Sequence, residues 1–268
     1  MSHFLRGPLG ASRSKREAAM PENLLIPSVD LRIGSLEEYN RRQREKAASH
    51  GRKPQPRPCI TISREFGCEG YLVAERLVEL MMQKTGDEWV LIDKDILEEV
   101  ARRHNISEEI LQTLGENNSI LKEVLATFSS RWHSDQDYFR LLSHHIVALA
   151  EQGNVIIVEL GGAIITRHNE HSWHFRIYAS EAFKIATLAR RLNMPNEDTE
   201  RLMHRQQKQR DHFNKVFLNH DGHDPALYNL LFNNDRNSPE RIAGTIAGYL
   251  ETDLHKHQHT ILHPHENL

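Results

Sequence analysis

Residues 59–77, CITISREFGCEGYLVAERL, carry the strongest indication of the fold. Residues 59–62 are apolar and mostly β-branched, which predicts a buried strand. Residues 63–70 contain two glycines, and residues 72–82 carry apolar side chains at helical spacing. This order is the layout of a phosphate-binding site, because glycines let the backbone approach an anion and free N–H groups at the helix start point at it. The alternative is an ordinary strand–loop–helix connection, since the Walker pattern is absent.

The overall composition, with 38% hydrophobic and 26% charged residues among 268, is typical of a globular protein. No apolar run of about 18 residues is present, so no membrane span is predicted. The N-terminus lacks the apolar core of a secretory signal. The two cysteines, Cys59 and Cys68, lack zinc-site spacing, which predicts no metal site and a cytoplasmic location. For Cys68, a small loop residue is favoured over a redox-sensitive thiol.

Residues 1–57 form a basic arm with twelve Lys or Arg against six Asp or Glu, a balance of +6 on a chain of net charge −3. Gly, Pro, Ser and Arg recur near both ends of the arm, which predicts little ordered structure. Ser35 and Glu38 form a capping-box pattern, but the short helix they predict has little apolar face and is expected to dock lightly or not at all. A solvated tail is favoured. A protein partner for the arm stays open, and nucleic-acid binding is disfavoured.

Strands and helices alternate between residues 58 and 250, which form the predicted domain. Strands are predicted at 59–62, 89–93, 155–158, 173–178 and 227–232. Helices are predicted at 72–82, 95–103, 108–111, 120–131, 135–152, 182–192, 199–217 and 239–250. This alternation predicts a doubly wound parallel α/β sheet, in which ligands bind at the carboxyl ends of the strands. The histidine-rich residues 251–268 are predicted to be a solvated tail.

The order of motifs along the chain is more specific than any single one: ITISREFG (60–67), LIDK (91–94), IIVELGG (156–162), residues 210–217, DPALYNL (224–230) and NDR (234–236). This order resembles the cytidylate kinase-like family, bacterial relatives of the P-loop nucleoside monophosphate kinases. The resemblance implies a P-loop kinase-type five-stranded parallel sheet with a helical insert and a basic lid. It also implies transfer of the γ-phosphoryl group of ATP, bound with Mg²⁺, to CMP or a similar small phosphorylated acceptor.

The resemblance also implies which residues form the site. Arg64 and Arg210 are the candidate catalytic cations, Asp93, Gly161 and Gly162 lie on the acceptor side, and Arg190, Arg191 and Arg210 belong to the lid. The ATP phosphates are expected to contact the loop residues Ser63, Arg64, Phe66, Gly67, Cys68, Glu69, Gly70 and Tyr71.

Departures from the family pattern reduce the positive charge expected of a phosphate-binding site. Glu69 replaces a loop glycine, and two like charges about 4 Å apart cost on the order of 4 kcal/mol near a protein surface. The loop contains no Lys, and Glu159-Leu160-Gly161 replaces Gly-Arg-Gly. Gln207 stands where the lid often has Asp. A catalytically silent nucleotide-binding sensor or scaffold on the same fold is therefore the alternative to a kinase.

Overall fold

A computed structural model describes residues 36, 38–39, 41–42, 57–96 and 135–262, with the backbone alone at 135–141 and 252–262. Five strands form one parallel sheet in the order β2-β3-β1-β4-β5. The strands are β1 (Cys59–Arg64), β2 (Val90–Ile92), β3 (Val155–Val158), β4 (Ser172–Tyr178) and β5 (Leu230–Asn233). The helices are α1 (Gly70–Thr85), α2 (Asp135–Gln152), α3 (Gly162–Ile165), α4 (Glu181–Leu192), α5 (Asn196–Phe217) and α6 (Pro239–Leu262). The predicted parallel α/β sheet is confirmed.

The sheet is covered on both faces, as expected of a parallel sheet with the wholly apolar strand β3 in it. Because successive side chains of a strand point to opposite faces, β3 divides between two cores. Val155 and Ile157 pack on the α2 side, whereas Ile156 and Val158 pack on the side of α1 and α6. The central strand β1 pairs with β3 on one edge and β4 on the other. The loop after β1 therefore lies near the middle of the sheet's carboxyl edge.

The fifth strand begins later than predicted. Residues 225–227 form a 3₁₀ turn, and the Asp224 side chain caps this turn by accepting a hydrogen bond from the Ala226 N–H at 2.9 Å. Proline fixes its own φ and favours such a turn after a capping Asp. The strand predicted at 227–232 is consequently found at Leu230–Asn233. The turn signal in the sequence outweighs the β propensity of Leu227 and Tyr228.

Part of the N-terminal arm packs on the domain, so the expectation of light docking is wrong for the residues described there. Leu36 and Tyr39 share one face of a helical turn and are 2% and 3% exposed in the core beside α2. The Tyr39 hydroxyl donates a hydrogen bond to the Gly153 carbonyl at 2.8 Å. On the other face, hydrogen bonds from Arg41 and Arg42 hold the pKa of Glu38 down at about 2. Among the residues described there, Leu36 and Tyr39 supply apolar contacts with the domain.

The last helix is longer than predicted, since α6 continues past residue 250 to Leu262. The helices predicted at 108–111 and 120–131, and most of the one predicted at 95–103, lie outside the described residues. Residues 94–96 are helical. Among the residues that are described, no helix combines the length and the hydropathy needed to cross a membrane.

Candidate functional site

A cavity of about 620 Å³ lies at the carboxyl ends of the strands. The ends of β1, β2, β3 and β4 form its floor, and side chains of α5 and of the segment 222–228 form its wall. This is where ligands bind in open parallel sheets. Seven of the residues predicted from the sequence line the cavity: Ser63, Arg64, Phe66, Tyr71, Asp93, Gly161 and Arg210.

The other predicted residues lie elsewhere. Gly67, Cys68, Glu69, Gly70 and Gly162 are not among the residues that line this cavity. Arg190 and Arg191 lie in the last turn of α4, also outside the cavity lining, with Arg190 exposed and Arg191 partly buried. The roles of the loop residues and of the two arginines in binding phosphate, and of Gly162 on the acceptor side, remain predictions.

Five N–H groups at and after the end of β1 donate to oxygens of the protein itself. Three of these oxygens belong to side chains far away in sequence. Glu159 accepts from the Arg64 N–H at 2.9 Å, Gln207 from Phe66 at 2.8 Å and Asn234 from Glu69 at 2.9 Å. The N–H groups of Glu65 and Cys68 donate to backbone carbonyls. Each acceptor occupies a position that a phosphate oxygen would need in order to use the same N–H.

The two loop glycines allow close packing in this structure. Gly67 has φ +100°, and a Cβ atom there would lie 2.8 Å from the Cβ of Lys184 on α4. A Cβ at Gly70 would lie 2.5 Å from the Arg64 side chain. Lys184 also forms an ion pair with Glu65 at 2.7 Å. The loop is therefore pressed against α4 at Gly67 and against its own Arg64 side chain at Gly70, and larger residues at these two positions would disturb both contacts.

Phe66 connects the loop to both covering helices. Its ring is 1% exposed in a small core that it shares with Leu188 of α4 and with Leu202 and Met203 of α5. The Arg210 guanidinium lies over this ring at 4.9 Å from the centroid, which is the geometry of a cation–π contact. Arg210 also donates to the Arg64 carbonyl at 3.3 Å. This anchoring holds Arg210, the predicted lid arginine that lines the cavity, against the loop.

The turn after β3 is left-handed at three successive residues, with φ +71° at Glu159, +60° at Leu160 and +67° at Gly161. A left-handed conformation costs roughly 1–2 kcal/mol for each residue other than glycine. The turn directs the Glu159 carboxylate at the loop. Its two oxygens lie 3.9 Å from Nε of Arg64 and 3.5 Å from Nη1 of Arg210.

Arg176 was not predicted, although it lies inside the buried strand β4, where a charged residue is unusual. It is 7% exposed and donates to the Gly222 carbonyl at 2.7 Å. It also contacts Nδ1 of His223 at 2.7 Å and lies over the Tyr228 ring. Since a guanidinium only donates, Nδ1 accepts, and the Nε2–H of His223 donates to Asp211 at 3.0 Å.

This chain of contacts returns to the loop. Asp211 accepts a hydrogen bond from the Gln207 amide at 2.9 Å, and Gln207 accepts from the Phe66 N–H. At the other end, Arg176 lies 3.6 Å from the Glu65 carboxylate. Contacts between β4, α5 and the segment 222–228 thus hold the wall of the cavity to the loop after β1.

Asp93 lies at the end of β2 and caps the turn that follows, accepting from the Ile96 N–H at 3.1 Å. It is 9% exposed and lines the cavity beside Lys94 and Asp95.

Burial raises the pKa of the Cys68 thiol to about 12, with the Glu65 carboxylate adding to the effect. The thiol is therefore protonated at neutral pH, which supports the interpretation of Cys68 as a small packed residue.

The sheet order and the strand–loop–helix unit at its centre define an α/β protein with a nucleotide kinase-like fold. A sequence profile of the cytidylate kinase-like family matches residues 59–236, and the chain belongs to this family. A comparison with curated proteins gives no significant match.

Two solved structures are similar to this chain. An uncharacterized protein from Eubacterium ventriosum ATCC 27560 is 18% identical, with a TM-score of 0.56 over 73% of this chain and 99% of that one. At this identity the likeness shows the fold alone. TT1252 from Thermus thermophilus is 14% identical, covering 74% of this chain and 98% of that one. Its TM-score of 0.33 is too low to support a conclusion about this chain.

Proposed function

We propose that the protein is a phosphotransferase that moves the γ-phosphoryl group of ATP to CMP or a similar small phosphorylated acceptor. The observation that carries this proposal is the convergence of three arginines on one cavity. Arg64 comes from β1, Arg176 from β4 and Arg210 from α5, and all three line the cavity. Phosphoryl transfer needs alignment and positive charge around the transferred group more than covalent help from the protein.

In the proposed reaction, an oxygen of the acceptor's phosphate forms a bond to the γ-phosphorus of ATP. The bond from that phosphorus to the bridging oxygen breaks, and its electron pair stays on ADP. Because the attacking phosphate oxygen is already ionised, the reaction needs no group to remove a proton. Arginines that hold the two reactants in line are thus the main contribution required of the cavity.

Mg²⁺ accompanies ATP in this proposal. The ion prefers carboxylate and phosphate oxygens and is usually held by one or two protein carboxylates together with the phosphates. Asp93 and Asp95 line the cavity at the end of β2 and are of the right chemical type. Bound there, Mg²⁺ would supply charge neutralisation for the phosphates, while the arginines orient them.

A second candidate function is a catalytically silent sensor or scaffold that binds a nucleotide. It is favoured by the three side-chain oxygens that accept from the N–H groups of Arg64, Phe66 and Glu69, since a phosphate must replace these oxygens before it can use the same N–H groups. Glu69 adds to this argument. Its carboxylate is held near the loop at 3.4 Å from the Asn234 amide.

The test is a measurement of ADP production by purified full-length protein with Mg²⁺·ATP and a panel of nucleoside monophosphates. Acceptor-dependent ADP, matched by formation of the nucleoside diphosphate, is the expected result. ATP binding by calorimetry without turnover for any acceptor would instead support the sensor. Neither binding nor turnover would remove both functions and direct attention to a protein partner of residues 1–57. A cytoplasmic location, where ATP and nucleoside monophosphates occur together, is part of the proposal.

A further inference from the structure

Three donors converge on the carboxylate of Glu159. The backbone N–H of Arg64 donates to Oε1 at 2.9 Å, and Nε of the same arginine lies 3.9 Å from that oxygen. Nη1 of Arg210 lies 3.5 Å from Oε2. A backbone N–H at the end of a strand together with two guanidinium groups is also a donor set for phosphate oxygens, because arginine matches phosphate and carboxylate alike.

The Glu159 carboxylate is positioned by the turn that contains it and by the anchoring of Arg210. Glu159 and Leu160 both adopt left-handed conformations, which are costly for residues with a side chain. Arg210 is fixed from the other side by its contact with the Phe66 ring. Glu159, Arg64 and Arg210 all line the cavity, so a ligand in the cavity can reach the donors.

We infer that the Glu159 carboxylate occupies a phosphate-binding position in the cavity wall and that a phosphate group binds by replacing it. Glu159 is then an internal competitor that lowers the affinity of the cavity for phosphate. This step deepens the proposed function, on which the identity of the ligand as a nucleotide rests. The donors themselves select only for a phosphate group, whether carried by a nucleotide or free.

The inference is tested by calorimetry of the full-length protein with inorganic pyrophosphate. Glu159→Gln keeps an oxygen for the Arg64 N–H and removes the charge, and it is expected to tighten binding by about two- to fivefold, the range for one partly exposed charge contact. Glu159→Gly is expected to do the same, since glycine suits φ +71°. Glu159→Asp is the matched control, because it keeps the charge and should bind no tighter than wild type.

The arginine makes the test specific. In the double variant Glu159→Gln/Arg210→Gln, compared with Arg210→Gln alone, the gain in pyrophosphate affinity should disappear, because the guanidinium group that contacts the second carboxylate oxygen is gone. Unchanged or weaker binding in both Glu159→Gln and Glu159→Gly would overturn the inference. A gain that persists in the double variant would also overturn it. Thermal melting of each variant checks that the fold is kept.

These measurements separate the inference from the proposed function, because pyrophosphate binding requires no turnover. The expected ranking of variants, found in a protein that turns over no acceptor, would keep the phosphate site and remove the kinase. Turnover of an acceptor without this ranking of pyrophosphate affinities would keep the kinase and remove the inference about Glu159. Repeating the titration with ATP and with adenosine distinguishes the ligand sources. A nucleotide site gains affinity for ATP in Glu159→Gln and none for adenosine.

Discussion

The two sides of the loop after β1 differ in how they are filled. On the α4 side, Gly67 touches Lys184, and Asn234 holds the Glu69 N–H, so the loop is packed. On the α5 side, the same loop borders a cavity of about 620 Å³ lined by Arg64, Arg176 and Arg210. The glycines of the loop thus allow close packing against Lys184 and Arg64, and the residues that line the cavity come from several separate segments. Substitutions on the packed side and on the cavity side should therefore have different effects.

The largest loss of stability is expected on the packed side, from Gly67→Ala. The substitution places a Cβ 2.8 Å from the Cβ of Lys184 at a residue with φ +100°. Backbone strain and overpacking together should lower the free energy of unfolding by about 2–4 kcal/mol. Gly86→Ala is the control, since Gly86 also has positive φ, while a Cβ there would meet no atom of the described residues within 4 Å. Urea denaturation that gives equal losses for both variants would contradict tight packing on this side.

On the cavity side, Arg210→Gln is expected to reduce activity rather than stability. Removing one donor that stabilises the transferred group typically costs about 100-fold in rate. The value of kcat/KM for the acceptor found in the panel should fall by about this factor. Arg201→Gln on the same helix is the control, because Arg201 is exposed and pairs locally with Asp198. Similar losses in the two variants would show that the charge of α5 as a whole, and not the position of Arg210, matters.

A smaller difference in stability is expected between variants of two residues that hold the loop from opposite sides. Asn234 is 3% exposed, so Asn234→Ala leaves the Glu69 N–H without this acceptor and should cost about 1–3 kcal/mol of stability. Gln207 lines the cavity, where water can replace its oxygen, and Gln207→Ala should cost less than about 1 kcal/mol. Chemical denaturation of both variants measures the difference. A larger loss in Gln207→Ala would reverse the assignment of the packed and open sides.

Much of the fold could be predicted because its signals are local. The apolar runs of β1 and β3 and the amphipathic pattern of α2 are visible within a few residues each. The start of β5 was misplaced, although its cause, the Asp224-Pro225 turn, is equally local. The packing of Leu36 and Tyr39 was missed because two apolar residues in a basic arm give almost no periodic signal.

The candidate site was predictable only in part. Arg64, Asp93 and Arg210 were expected and do line the cavity, because each follows or flanks a recognisable motif. Arg176, Asp211 and His223 were missed, since their contacts join segments up to 47 residues apart. Only the charge of Arg176 within a predicted strand was a usable signal.

Periodicity, turn residues and motif order are properties of the chain, so they were sufficient to predict the parallel sheet, the loop at its centre and the family. Three N–H groups of the loop find their acceptors only in the folded protein. Their acceptors Glu159, Gln207 and Asn234 lie 95, 141 and 165 residues away from their donors. Hydrogen-bond partners at such separations depend on how helices and strands pack, which no local pattern encodes.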